Sequence, residues 1–133
     1  MTESFGADGW PELSDELLWQ ILNGEISDGD VCRLVWQRLG YGPVAAGQQE
    51  GPWQAGSTTP ANWAEAYPFA PPFIEERPAC VMLTRSIAGE YKQLLKAELG
   101  FKGYPIGELV PRLTRRATAV SWLLAWRRIR AES

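Results

Sequence analysis

Between Gly40 and Cys80, twelve of 41 residues are Gly or Pro. Proline fixes φ, removes a backbone donor and restricts the residue before it, so no long helix or central strand fits here. The core must come from the segments on either side. The stretch is still not a solvated linker. Disordered linkers are poor in aromatics, and this one carries Trp53, Trp63, Tyr67, Phe69 and Phe73. Residues 41–80 therefore read as an ordered strap lying across a helical core. A polyproline-like segment offered to a partner is the competing reading. Inside the strap, TTPANWAEAY predicts a short helix with Thr59 as cap and Pro60 at the first helical position. PFAPPFIEERPA reads as extended.

The flanks are helical. LSDELLWQILNG offers Ser14 as cap, Asp15 and Glu16 at the positive end, an apolar stripe of Leu17, Leu18, Ile21 and Leu22, and Gly24 as the stop. In ISDGDVCRLVWQRLGYG, Ser27 and Asp30 resemble a capping box, Val31, Leu34, Val35 and Leu39 make a second stripe, and Gly40 ends it. Together they predict a helical hairpin. A DNA-reading helix-turn-helix fits poorly, because the segment is acidic. ACVMLTRS is a short strand or a helical turn. SIAGEYKQLLKAELG predicts one helix capped by Ser86, with Ile87, Tyr91, Leu94, Leu95 and Leu99 on one face and Gly100 at its end. FKGYPIGELVPR is turn-rich. The last helix runs from about Pro111 to Arg130, and its apolar residues nearly encircle it, as expected of a central helix.

Charge is unevenly spread. Residues 1–80 hold three cations and twelve anions, a balance of −9; residues 81–133 hold ten and four, a balance of +6. The last helix opens with Arg112, Arg115 and Arg116 beside Thr114 and Thr118. Cations at a helix N-terminus oppose its dipole, and Arg112 and Arg116, four apart, repel. Breaking a local rule in this way often marks function. Two accounts stay open. The arginines pair with carboxylates of the first half, with Asp28, Asp30, Glu75 and Glu76 as candidates, or Arg112, Arg115, Arg116, Thr114 and Thr118 form an anion site. Arg127, Arg128 and Arg130 read as part of a solvated tail, 127–133.

Much chemistry is missing from the sequence. There is no His, the commonest general base and metal ligand. No nucleophile elbow, phosphate loop or dinucleotide fingerprint appears. Asp28-Gly29-Asp30 begins like a calcium loop, but position twelve is Leu39. Neither catalytic residue, metal nor cofactor is assigned. Cys32 and Cys80 read as reduced, partly buried thiols. The chain has neither a signal or transit pattern nor an apolar run of about 18 residues, so a cytoplasmic protein without membrane insertion is expected.

RPACVMLTRSIAGEYKQLLKAELGFKGYPIGELVPRLTRRATAVSWLL resembles a small family of uncharacterised cyanobacterial proteins with relatives in plastids. LVWQRLGY and AYPFAPPFIEERPA fit the same pattern, so the resemblance spans about Ser14 to Trp126. It implies a cytosolic or stromal setting and a tie to photosynthetic cells, and it brings no site residues.

The expectation is one mostly α domain of about four to five helices over residues 1–133, frayed over 1–12, with the strap ordered and little or no β. The expected function is that of a non-catalytic interaction protein, an assembly or regulatory adaptor. Its basic face would be Arg112, Arg115, Arg116, Lys92, Lys96 and Lys102, set against an acidic protein partner. RNA or DNA binding through that face, with Tyr91, Phe101 or Tyr104 stacking on bases, is the second reading. A small-anion binder or enzyme at the Arg/Thr cluster is the third.

Overall fold

A computed structural model describes residues 10–48, 50–104 and 110–132. They form six α-helices in chain order: α1 (Asp15–Leu22), α2 (Asp28–Arg38), α3 (Ala61–Ala66), α4 (Arg77–Arg85), α5 (Leu94–Leu99) and α6 (Pro111–Glu132). β1 (Gly42–Pro43) and β2 (Trp53–Gln54) pair antiparallel and are the only strands among the described residues. Helices α1, α2, α4 and α5 all pack against α6. The reason is composition: Ala119, Val120, Trp122, Leu123, Leu124 and Ala125 are all buried, so α6 needs neighbours on nearly every side.

Local chemistry sets the α1–α2 hairpin. The Ser14 and Ser27 hydroxyls accept from the N–H groups of Leu17 and Asp30, capping both helices. Gly24, at φ +79°, turns the chain between them. Gly40, at φ +88°, ends α2 where the strap crosses closely. A Cβ there would lie 2.5 Å from the Thr58 hydroxyl oxygen and 2.8 Å from the Thr59 nitrogen.

The strap is docked. Trp53, Trp63 and Phe73 are buried, and Trp63 meets Phe73 edge-on at 5.7 Å. The Trp36 indole N–H donates to the Pro71 carbonyl at 2.9 Å, and the Tyr41 hydroxyl donates to the Tyr67 carbonyl at 2.7 Å. Both bonds give amphipathic rings the polar partner that burial demands.

Several expectations change. The ambiguous ACVMLTRS lies in a helix, α4, which starts at Arg77 with Pro78 in its first turn, where a missing N–H costs nothing. The segment 87–99 is not one helix but a 3₁₀ turn at Gly89–Tyr91 followed by α5. Ser86 closes α4 instead of opening a helix, and its hydroxyl donates to the Leu83 carbonyl. Thr59 does not cap α3; its hydroxyl accepts from the Gly56 N–H and closes the loop before it. Of the tail expected to be solvated, 128–132 are exposed and helical, while Arg127 is half-buried and reaches Asp15, Glu98 and the Leu13 carbonyl. Of the expected frayed segment, 1–9 lie outside the described residues. Trp10 packs on Trp126 at 6.1 Å, with the Arg38 guanidinium over both rings. Of the turn-rich connection, 105–109 lie outside the described residues.

Candidate functional site

The three arginines at the start of α6 part company in space. Arg116 is fully buried. Its Nε donates to the Ile21 carbonyl at 3.1 Å, one terminal nitrogen to Asp28 Oδ1 at 2.6 Å, and the other to the Ile26 carbonyl. Arg112 Nε donates to Asp28 Oδ2 at 2.9 Å. One carboxylate thus joins two guanidiniums, relieving the repulsion that their spacing implies. Asp28 opens α2, where a negative charge also suits the helix dipole. Arg116 is therefore no part of a basic face. It lies four residues before Val120, on the buried side of α6, and a charge there needs the acceptors that the α1–α2 turn supplies.

Burial pushes the Asp28 carboxyl up, but the hydrogen bonds and charges of Arg112 and Arg116 outweigh it and hold the group below its ordinary value of 3.8. A depressed folded value means that the fold prefers the ionised form. The resulting stability is complete above the unfolded value and fades as pH falls through the folded one. Denaturant melts from about pH 6 down to about pH 3 should show this loss. Asp28→Asn should lower stability at the upper end and flatten that part of the pH dependence. An unchanged acid slope in the variant would remove Asp28 as its source.

Arg115 points elsewhere. One of its terminal nitrogens donates to the carbonyls of Ile74 and Glu75, at 3.0 and 3.4 Å. Main-chain oxygens hold the group in place, and no carboxylate among the described residues pairs with it. It borders a cleft of about 450 Å³ between α4 and the start of α6. Helix α4 contributes Arg77, Cys80, Val81 and Thr84, one face at helical spacing. The other wall is Val110, Pro111, Thr114, Arg115 and Thr118. Of the five residues of the expected Arg/Thr cluster, Arg115, Thr114 and Thr118 line this cleft, while Arg112 and Arg116 turn to Asp28. Arg77, Cys80 and Thr84 are additions that required knowing that 77–85 is a helix.

The model of DUF1823, a domain of unknown function, matches residues 12–128. The chain belongs to this family. A protein whose solution NMR structure is known shares 53% identity with it, over 90% of this chain and 96% of that one, at a TM-score of 0.72. A search of the curated proteins finds no match.

Elsewhere on this DUF1823 fold, Lys92, Lys96 and Lys102 are exposed. The rings proposed for stacking are engaged: Tyr91 donates its hydroxyl to Glu132, and Phe101 packs edge-on against both Tyr104 and Trp19. Tyr104 also donates to the Leu22 carbonyl. Both cysteines are free and buried. Burial pushes both thiols up, although the Thr118 hydroxyl and the Arg115 charge pull Cys80 partly back. Such thiols are poor nucleophiles. Among the described residues no group of three His, Cys, Asp or Glu is arranged to hold a metal, and no helix is long and apolar enough to cross a membrane.

Proposed function

We propose that this protein is a cytoplasmic, non-catalytic interaction protein that holds an acidic protein partner against residues 77–102. One observation carries this reading. Arg77, Arg85, Lys92, Lys96 and Lys102 are exposed and have no carboxylate partner among the described residues. The cations of α6 are mostly engaged: Arg112 and Arg116 with Asp28, Arg127 with Asp15 and Glu98, and Arg128 with Glu98. The charge split is therefore partly neutralised within the fold, and the surplus sits on α4 (Arg77, Arg85), just after the 3₁₀ turn (Lys92), on α5 (Lys96) and in the loop beyond it (Lys102).

A glutamate-rich peptide is a suitable probe, titrated at low salt by fluorescence anisotropy. Lys92→Glu/Lys96→Glu should weaken its binding by about tenfold, since exposed pairs are individually weak and each reversal adds repulsion. Helicity should stay unchanged. Equal binding by the double variant would sink the proposal. A single-stranded RNA that binds more tightly than the peptide, with affinity falling steeply as salt rises, would replace it with a phosphate-backbone reading.

A further inference from the structure

We infer that the cleft between α4 and α6 binds a small hydroxylated organic anion, a sugar phosphate or a hydroxy acid. The inference does not rest on the partner surface, with which the cleft shares one cation, Arg77, and the face of α4 that carries it.

Charge comes first. Two arginines, Arg77 and Arg115, line the cleft from opposite walls, and no acidic residue among the described residues lines it. The Arg77 side chain makes no hydrogen bond or ion pair among the described residues. Arg115 is positioned by the Ile74 and Glu75 carbonyls through one nitrogen, and its remaining N–H groups make no hydrogen bond among the described residues. A planar fork fixed in advance loses less entropy on meeting an anion than a free side chain does.

The hydroxyls add a second, different requirement. Thr84 donates to the Cys80 carbonyl at 3.1 Å, Thr114 to the Pro111 carbonyl at 3.0 Å and Thr118 to the Thr114 carbonyl at 3.2 Å. The Thr84 and Thr114 hydroxyl protons are turned to their own helices, and Thr118, besides its own helix, meets the Cys80 sulfur across the cleft. What the three oxygens retain is acceptor capacity. A bare anion brings only acceptors and cannot use them. A ligand that carries hydroxyl groups beside its anionic group can: its oxygens take the guanidinium donors while its O–H groups donate to threonine oxygens.

Size agrees. The cleft of about 450 Å³ lies within the range of small-molecule sites, about 300–1,000 Å³. It is far larger than an inorganic anion needs. Val81, Val110 and Pro111 supply apolar wall for the carbon frame.

The test is a titration of the full ¹⁵N-labelled chain with glucose 6-phosphate, gluconate, inorganic phosphate and glucose, read as amide shifts. Saturable shifts at Cys80, Val81, Thr84, Thr114 and Thr118 are expected with glucose 6-phosphate, gluconate or both, at concentrations well below any effect of inorganic phosphate or glucose. Saturation by the first alone assigns a sugar phosphate, and by the second alone a hydroxy acid. Arg77→Gln should weaken binding about tenfold or more, as for a lost charged hydrogen bond. Thr118→Val should weaken the organic anion and leave inorganic phosphate as it was. Lys92→Glu/Lys96→Glu should leave this titration unchanged, so the two proposals fail separately. Inorganic phosphate binding as tightly as either organic anion would overturn the inference. So would shifts centred on Lys92 and Lys96, or none in the cleft.

Discussion

Arg116→Met is expected to destabilise the protein by about 3–5 kcal/mol, the usual cost of removing one partner from a buried ion pair. Methionine matches much of the arginine's length but donates nothing. Asp28 loses its buried partner, and the Ile21 and Ile26 carbonyls lose the guanidinium that satisfied them. Each loss leaves a polar group less well satisfied, and the cavity left by the fully buried guanidinium gives water little access to the two carbonyls. A typical domain has only about 5–15 kcal/mol in total, so the midpoint in chemical denaturation should move far toward lower denaturant. Arg116→Lys should recover little, because an ammonium cannot reproduce a fork that meets three acceptors at once. Arg112→Met is the control. It bonds the same carboxylate, but its side chain is 53% exposed, so removing it should cost about 1 kcal/mol or less. If Arg112→Met proves as costly as Arg116→Met, burial is not what makes Arg116 matter.

The contrast between these two arginines shows what the sequence can and cannot tell. Asp28 is identifiable beforehand as a candidate partner, because it is acidic and in the first half. Which arginine is buried depends on where the α1–α2 turn meets α6, and that is a long-range fact. Helices α1, α2 and α6 are legible because their caps and stripes are local: Ser14, Ser27, and the apolar run from Ala117 to Trp126. The docking of the strap is also legible, since an aromatic-rich stretch gains by burial: Trp53, Trp63 and Phe73 are buried, although Phe69 stays exposed. The break near Gly89 is not, because Ile87, Tyr91, Leu94 and Leu99 keep helical spacing on both sides of the 3₁₀ turn. For the cleft, Arg115, Thr114 and Thr118 stand out as a helix-start cluster. The opposing wall stays hidden while 81–83 reads equally as strand or helix.

Trp63→Ala is expected to cost about 3–5 kcal/mol, the usual range for a buried aromatic truncated to alanine. Trp63 is 2% exposed, packs against Phe73 and Tyr67, and lies on a helix of only six residues. So short a helix has no stability of its own. It holds its shape because the indole is buried. Truncation opens a cavity under the strap and loosens Phe73, which is itself fully buried in the core. The effect should be global, not confined to the strap. Trp36, near the C-terminal end of α2, bonds the Pro71 carbonyl, and the Tyr41 hydroxyl, just past that end, bonds the Trp63 and Tyr67 carbonyls, so the end of α2 is tied to the strap. Unfolding followed by far-ultraviolet circular dichroism and by tryptophan fluorescence should give coincident curves in wild type, and both should move together in the variant. Were the strap an accessory laid over an independent helical bundle, fluorescence would shift and helicity would melt as before. That separation would show that Gly40 to Cys80 only decorates the core, whereas a common shift makes this proline-rich stretch a structural part of it.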